Sequence, residues 1–113
     1  MSDPQYKNDA LYQLLRQGHV EEFNKLRAEG QSCDLIEADL RHLDLRSLDA
    51  RGLDMTGCYL RDADLRGLDL RESRLDGASI HNAKISGSWF PKELSPDEIN
   101  LSLIHGTRLR YGC

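Results

Sequence analysis

From residue 33 to residue 92 the chain repeats every five residues without a slip, and no other feature constrains its fold as tightly. Every fifth residue from Leu35 is apolar: Leu35, Leu40, Leu45, Ala50, Met55, Leu60, Leu65, Leu70, Leu75, Ile80, Ile85 and Phe90. Two positions before each stands a residue that is apolar or small: Cys33, Ala38, Leu43, Leu48, Leu53, Cys58, Ala63, Leu68, Ser73, Ala78, Ala83 and Ser88. Both columns must face a core. Between them stands Asp at 34, 39, 44, 49, 54, 64 and 69, and after the large apolar residue comes Arg at 41, 46, 51, 61, 66 and 71, so these columns face water. A period of five matches neither the 3.6 of a helix nor the 2 of a long strand. It matches a short extended piece followed by a corner. Glycine recurs at 52, 57, 67, 77 and 87, two after the large apolar residue, where a corner calls for positive φ. The chain therefore winds into a solenoid.

The units Ala38-Asp39-Leu40-Arg41, Ala63-Asp64-Leu65-Arg66 and Gly77-Ala78-Ser79-Ile80 resemble the pentapeptide-repeat proteins, whose unit is A-(D/N)-L-x-x. The resemblance implies an all-β solenoid, a right-handed quadrilateral β-helix with four units per coil. The twelve units would then make three coils, a stack about 14 Å tall at the spacing of neighbouring strands. Leu at 43, 48, 53 and 68 departs from the usual small residue of its column. Ser73, Ala83 and Ser88 lie above those leucines, so large and small residues alternate between layers and fill the core.

A solenoid exposes apolar edge and backbone at both ends and needs caps. In residues 1–32, Ala10, Leu11, Leu14 and Leu15 form one helical stripe up to Gly18, and Val20, Phe23 and Leu26 form a second up to Gly30. This helical hairpin should cover the first coil. In residues 93–113, Ser95-Pro96-Asp97-Glu98 reads as a helix start, with Ser as cap and Pro at the first helical position. Ile99, Leu103 and Ile104 follow as an apolar face that either folds over the last coil near Trp89 and Phe90 or packs on a second copy as a homodimer contact. Trp89 is expected beneath this C-terminal segment. The closing Thr107-Arg108-Leu109-Arg110-Tyr111 is expected to fray, its basic and aromatic residues otherwise being suited to an anionic partner.

Fifteen Lys and Arg against nineteen Asp and Glu give a net charge of −4, without the basic stripe that binding a phosphate backbone needs, which argues against direct nucleic-acid binding. No apolar run approaches the roughly 20 residues of a membrane span, and the start lacks the order of a secretory signal, so a cytoplasmic protein is expected. Three cysteines, Cys33, Cys58 and Cys113, show no C-x-x-C spacing and read as reduced thiols, Cys113 being terminal and open to oxidation. His19, His42, His81 and His105 form no i, i+4 pair, so neither a metal site nor a cofactor is expected. No nucleophile and base pair and no phosphate loop stands out, and a filled solenoid has no deep pocket, so the chain is not read as an enzyme.

With four units per coil, residues twenty apart stack on one face. The second face carries Arg41, Arg61 and His81 beside Asp39, Tyr59 and Ser79, with His42 at its edge. The third carries Arg46 and Arg66 beside Asp44, Asp64 and Lys84; the fourth carries Arg51 and Arg71 beside Asp49, Asp69 and Trp89. Asp and Arg two apart on an extended piece point the same way across about 7 Å, so the columns read either as solvated charge ladders or as recognition surfaces. The second face is the recognition candidate, since Tyr59 stands among Arg41, Arg61 and His81, and aromatic and Arg residues anchor interfaces. The function expected is a non-enzymatic protein–protein interaction module, an adaptor or regulator with an unidentified protein partner. The resemblance also implies a bacterial origin and an alternative, because some pentapeptide-repeat proteins modulate DNA gyrase by imitating duplex DNA. Residues 33–92 hold eleven acidic and nine basic residues, a net of −2, whereas such a mimic should be strongly and evenly negative.

Overall fold

Each five-residue unit closes on itself at a corner, and the corners stack. In a computed structural model, which describes residues 4–112, isolated parallel bridges join residues twenty apart: Asp39 to Tyr59, Asp44 to Asp64, Asp54 to Arg74, Tyr59 to Ser79, Asp64 to Lys84 and Asp69 to Trp89. The bonding is that of a parallel ladder one rung wide: Leu40 N donates to the Tyr59 carbonyl at 2.9 Å, and Tyr59 N to the Ala38 carbonyl at 3.0 Å. Corner bonds such as Ala63 N to the Leu60 carbonyl, 3.0 Å, interrupt the ladder before a second rung forms. The repeat is thus a stack of bridges and turns, without a continuous strand among the described residues, and the regular elements are three helices.

The corner column explains the glycines. Gly52, Gly57, Gly67, Gly77 and Gly87 all have positive φ, and in the same column Glu37, His42, Ser47, Asp62 and Asn82 are forced into the left-handed region at φ 58–73°. Glu72 alone breaks the series between Glu37 and Gly87, and its corner is irregular.

Ten of the twelve large apolar residues are buried; Ile85 and Phe90, at the top of the last coil, are half-buried. In the small column, polar residues are tolerated because each donates to the carbonyl of the coil beneath: Cys58 Sγ to Leu35 and Ser73 Oγ to Ala50, both at 2.7 Å, and Ser88 Oγ to Leu65.

The N-terminal hairpin is α1 (Ala10–Arg16) and α2 (Val20–Ala28), followed by Gly18 and Gly30 respectively, both at positive φ. Leu11, Leu15, Val20 and Phe23 are buried as expected; Ala10 is exposed, and its inward place belongs to Tyr12, whose hydroxyl donates to the Asp39 carbonyl at 2.8 Å. Tyr12 escapes a pattern built on aliphatic residues because its ring is apolar while its tip needs a partner. The hairpin caps the first coil by supplying what a further strand would. Gln5 pairs through its backbone with Glu37 and Asp39, Asn24 bridges Ser47 and Asp49 with its side-chain amide, and Arg27 donates to the carbonyls of Asp49 and Arg51. The third face is left open, with a cleft of about 780 Å³ between the α1–α2 turn and Asp44.

At the other end, α3 (Pro96–His105) starts as the sequence predicts, with Ser95 Oγ accepting from Glu98 N at 3.2 Å and Pro96 first in the helix. It ends at Gly106, whose φ of 73° suits glycine. The segment after it is not frayed. Gly77 N donates to the Leu109 carbonyl at 2.7 Å, Leu109 N to Ala78 at 2.8 Å, and Leu75 N to the Tyr111 hydroxyl at 2.9 Å, so residues 107–111 complete the last coil with Leu109 buried. Arg110 grips Glu98 through both carboxylate oxygens. No helix among the described residues is long and apolar enough to cross a membrane.

Candidate partner-binding face

The outward columns are built from one local motif. In Asp39–Arg41, Asp44–Arg46, Asp49–Arg51, Asp64–Arg66 and Asp69–Arg71, the carboxylate takes the Arg backbone N–H and Nε on Oδ1 and Nη2 on Oδ2, the side-chain contacts spanning 2.7–3.0 Å. The long Arg side chain folds back over the 7 Å interval and closes it. These hydrogen bonds hold the carboxyls of Asp49, Asp64 and Asp69 down at about 2. Each pair consumes its own charge, so the third and fourth faces present neutralised pairs in their lower two coils, with Lys84 and Trp89 standing in the Asp column above them.

The second face departs from this motif in its upper coils. Tyr59 stands where Asp would precede Arg61, and Ser79 and His81 replace the pair in the coil above. Arg61 consequently has no carboxylate two residues back; its nearest is Asp62, at 3.7 Å. Arg41, Tyr59, Arg61 and His81 together line a basin of about 470 Å³, so the four residues singled out in the sequence do share one concavity. Its remaining wall was illegible from the repeat, because it comes from the ends: Pro4 on one side and residues 105–108 on the other. Arg108 is held there by Nη1 donating to the Gly77 carbonyl at 2.6 Å and by Nη2 on the Tyr59 hydroxyl, with its guanidinium 4.9 Å above the Tyr59 ring centre.

His81 is fixed by packing. Gly106 lies so close that a Cβ there would stand 3.3 Å from His81 Cγ, and His81 Nδ1 is buried without a hydrogen-bond partner. An orphaned N–H costs more than an orphaned lone pair, so the proton belongs on Nε2.

The α3 residues divide. Ile99 and Leu103 pack against the core, whereas Ile104 is 64% exposed and Leu101 is 39% exposed. Trp89 does not lie beneath the C-terminal segment: it is 59% exposed on the fourth face, with the Arg71 guanidinium 4.8 Å from its ring centre. An outward column position cannot turn inward while its neighbours Ser88 and Phe90 do. Burial pushes the Cys58 thiol up to about 12 and raises Cys33 as well, which makes both poor nucleophiles; Cys113 lies outside the described residues.

Five-residue units bridged at a spacing of twenty, with helices at both ends and outward columns of charge, define a repeat protein. The chain belongs to the pentapeptide-repeat family: the family model described as Pentapeptide repeats matches residues 31–62 and 54–90 in eight copies, over half its length. No curated protein and no solved structure matches it.

Proposed function

We propose that this protein is a non-enzymatic adaptor or regulator that engages a protein partner through its second face, on a stack wound as the right-handed quadrilateral β-helix of its family. The observation that carries the reading is the break in the outward motif: where the third and fourth faces clamp every Arg to its own Asp, the second face sets Tyr59, Arg61, His81 and Arg108 around one basin. Arg and Tyr in a concave setting are among the side chains that dominate binding energy at interfaces; here Arg61 is exposed and Tyr59 and Arg108 are half-buried. The reduced thiols Cys33 and Cys58 support a cytoplasmic setting. Mimicry of duplex DNA gains nothing from this surface, since the Asp columns are neutralised in place by arginines at 2.7–2.8 Å.

The test is affinity capture from native lysate with the wild type, Arg61→Glu, Tyr59→Ala and a third-face control, Arg66→Glu. The reading expects one partner retained by the wild type and the control and lost in both second-face variants; retention by all four would overturn it.

Self-association through α3 is a second reading, favoured by the exposure of Leu101 and Ile104 on one side of the helix. With Ile99 and Leu103 committed to the core, only this outer side is available to a second copy. A dimer in sedimentation that Ile104→Asp dissociates would establish it, and a monomer at all concentrations would remove it.

A further inference from the structure

The basin on the second face has a chemical character that its neighbours lack: among the described residues, no acidic side chain lines it. Four other clefts each carry at least one carboxylate: Asp44 beneath the third face, Asp97 beside α3, Glu72 at the irregular corner and Asp54 near Gly52. In a chain with a net charge of −4, a concavity lined by Arg41, Arg61, Arg108, His81 and His105 stands apart from the average surface. We propose that it is a binding site for a phosphate-class dianion, a phosphomonoester carried by the partner or free in solution. This deepens the second-face reading by naming the group recognised, and it rests on that reading for the partner-borne case.

Three features of the site select an anion. Among the described residues Arg108 is anchored by a carbonyl and a phenol and by no carboxylate, so its charge is positioned and no described carboxylate cancels it. Arg61, with Tyr59 in place of an Asp, has among the described residues only the long contact to Asp62 at 3.7 Å, which a better acceptor can replace. His81 has Nδ1 sealed beneath Gly106, which leaves Nε2–H as the donor available to the basin. All three groups donate, and a ligand that satisfies them together must present several acceptor oxygens at once.

The charge balance favours two negative charges over one. Arg41 is already matched by Asp39 through two side-chain bonds, and Asp62 stands near Arg61, so two of the three guanidinium charges face a carboxylate. A monoanion would gain little beyond Arg108, whereas a dianion neutralises Arg108 and competes with Asp62 for Arg61. A further opposing feature is the negative end of α3, which closes at this basin; its Gly106 carbonyl already accepts from Ser79 Oγ at 3.3 Å. The volume of about 470 Å³ lies within the range of small-ligand sites and exceeds a bare phosphate, leaving room for the group that carries it.

The experiment is a titration followed by amide chemical shifts, on the full chain, with inorganic phosphate, N-acetyl-phosphoserine amide and acetate at constant ionic strength. The proposal expects saturable shifts confined to Arg61, His81 and residues 105–108 with both phosphates, at least fivefold weaker binding in Arg61→Gln, and wild-type binding in the third-face control Arg66→Gln. Tighter binding of the phosphoserine derivative assigns the site to a partner's phosphoryl group, and equal binding assigns it to a free anion. Absence of saturation, acetate binding as tightly as phosphate, or equal affinity in Arg61→Gln overturns the proposal. Arg61 is largely exposed, so the variant keeps the fold, and unchanged dispersion of the remaining amides verifies this. If Arg61→Glu abolishes partner capture while phosphate fails to bind, the face stands and the anion falls; the converse result separates them in the other direction.

Discussion

The edge-capping role of α2 gives a prediction whose magnitude follows from two hydrogen bonds. Asn24 Nδ2 donates to the Ser47 carbonyl at 2.8 Å and its Oδ1 accepts from Asp49 N at 2.9 Å, so one carboxamide fills the donor and acceptor positions that a further coil would occupy. Asn24→Ala removes both. A net protein hydrogen bond contributes about 0.5–1.5 kcal/mol, and these two lie near solvent, so the expected loss is about 1–2 kcal/mol, or roughly a 5- to 30-fold change in the folded-to-unfolded ratio. Asn24→Asp is the informative partner variant. It retains an oxygen for Asp49 N but sets a second one against the Ser47 carbonyl, and it brings a charge near the Asp49 carboxylate, so it should cost at least as much as Ala despite its nearly identical shape. Urea unfolding gives the global loss, with an unchanged denaturant slope expected because the surface exposed on unfolding is the same. Hydrogen exchange gives the local one: the Asp49 amide should lose protection in Asn24→Ala, where its acceptor is gone, while Asp64 N, bonded to the Leu43 carbonyl at 2.9 Å one coil up, should not. Full protection of Asp49 in Asn24→Ala, or an Asp variant as stable as the wild type, would refute the idea that side-chain amides finish the stack.

Acid should weaken the fold through the outward motif: the carboxyls of Asp49, Asp64 and Asp69 sit at about 2, below the ordinary unfolded value near 3.9. Their contribution is complete above that unfolded value and is lost as pH falls from about 4 through 2, so urea midpoints should drop across this window and Asp64→Asn should flatten the drop. Leu65 is fully buried in the middle coil, and Leu65→Ala should cost about 2–5 kcal/mol, Ile85→Ala less because Ile85 is half-exposed at the top; Leu65→Asp should leave the chain unfolded by circular dichroism, and a folded variant would mean that the inward column is wrongly assigned. Ser47 holds φ at 73°, a cost of about 1–2 kcal/mol that glycine escapes while losing about 0.5–1 kcal/mol to chain entropy, so Ser47→Gly should stabilise slightly; Gly67→Ala, with nothing within 4 Å of the added methyl, should destabilise by a similar amount in the same thermal unfolding assay.

The inward and outward columns, the corner glycines and the start of α3 were legible because each is repeated or capped by a short-range rule. A period-five argument needs no knowledge of contacts: once Leu45, Leu65 and Ile85 share a column, burial follows from geometry. What escaped it depends on contacts between distant segments. Tyr12 is placed by the Asp39 carbonyl it must reach, and the order of residues 107–111 comes from unpaired backbone on the last coil, which no local pattern in Thr107-Arg108-Leu109-Arg110-Tyr111 announces. Trp89 differs from its expected place for the opposite reason: its apolar character argues for burial, but its register in the outward column sets it in solvent, and the register prevails.

The same distinction locates the candidate site. A strictly regular column offers a partner the same neutral Asp–Arg pair at every level, so it carries little information about where to bind. Recognition needs a place where the repeat is broken and the break is not repaired, and the second face meets both conditions. Its column loses Asp at Tyr59 and Ser79, and the chain ends then close around the gap with Pro4 and Arg108 instead of filling it. Among the described residues, the breaks in the outward motif on the third and fourth faces lack such a wall: Lys84 and Ser86 replace the pair on the third face outside the basin and the four other clefts, and the exposed Trp89 on the fourth is covered on one face by Arg71. Restoring the motif with Tyr59→Asp should therefore clamp Arg61 as Arg66 is clamped, cancel its charge, and abolish partner and phosphate binding while leaving the chain folded, although Arg108 loses its contacts to the Tyr59 hydroxyl and ring. A Tyr59→Asp protein that binds as the wild type does would show that the break in the repeat is incidental.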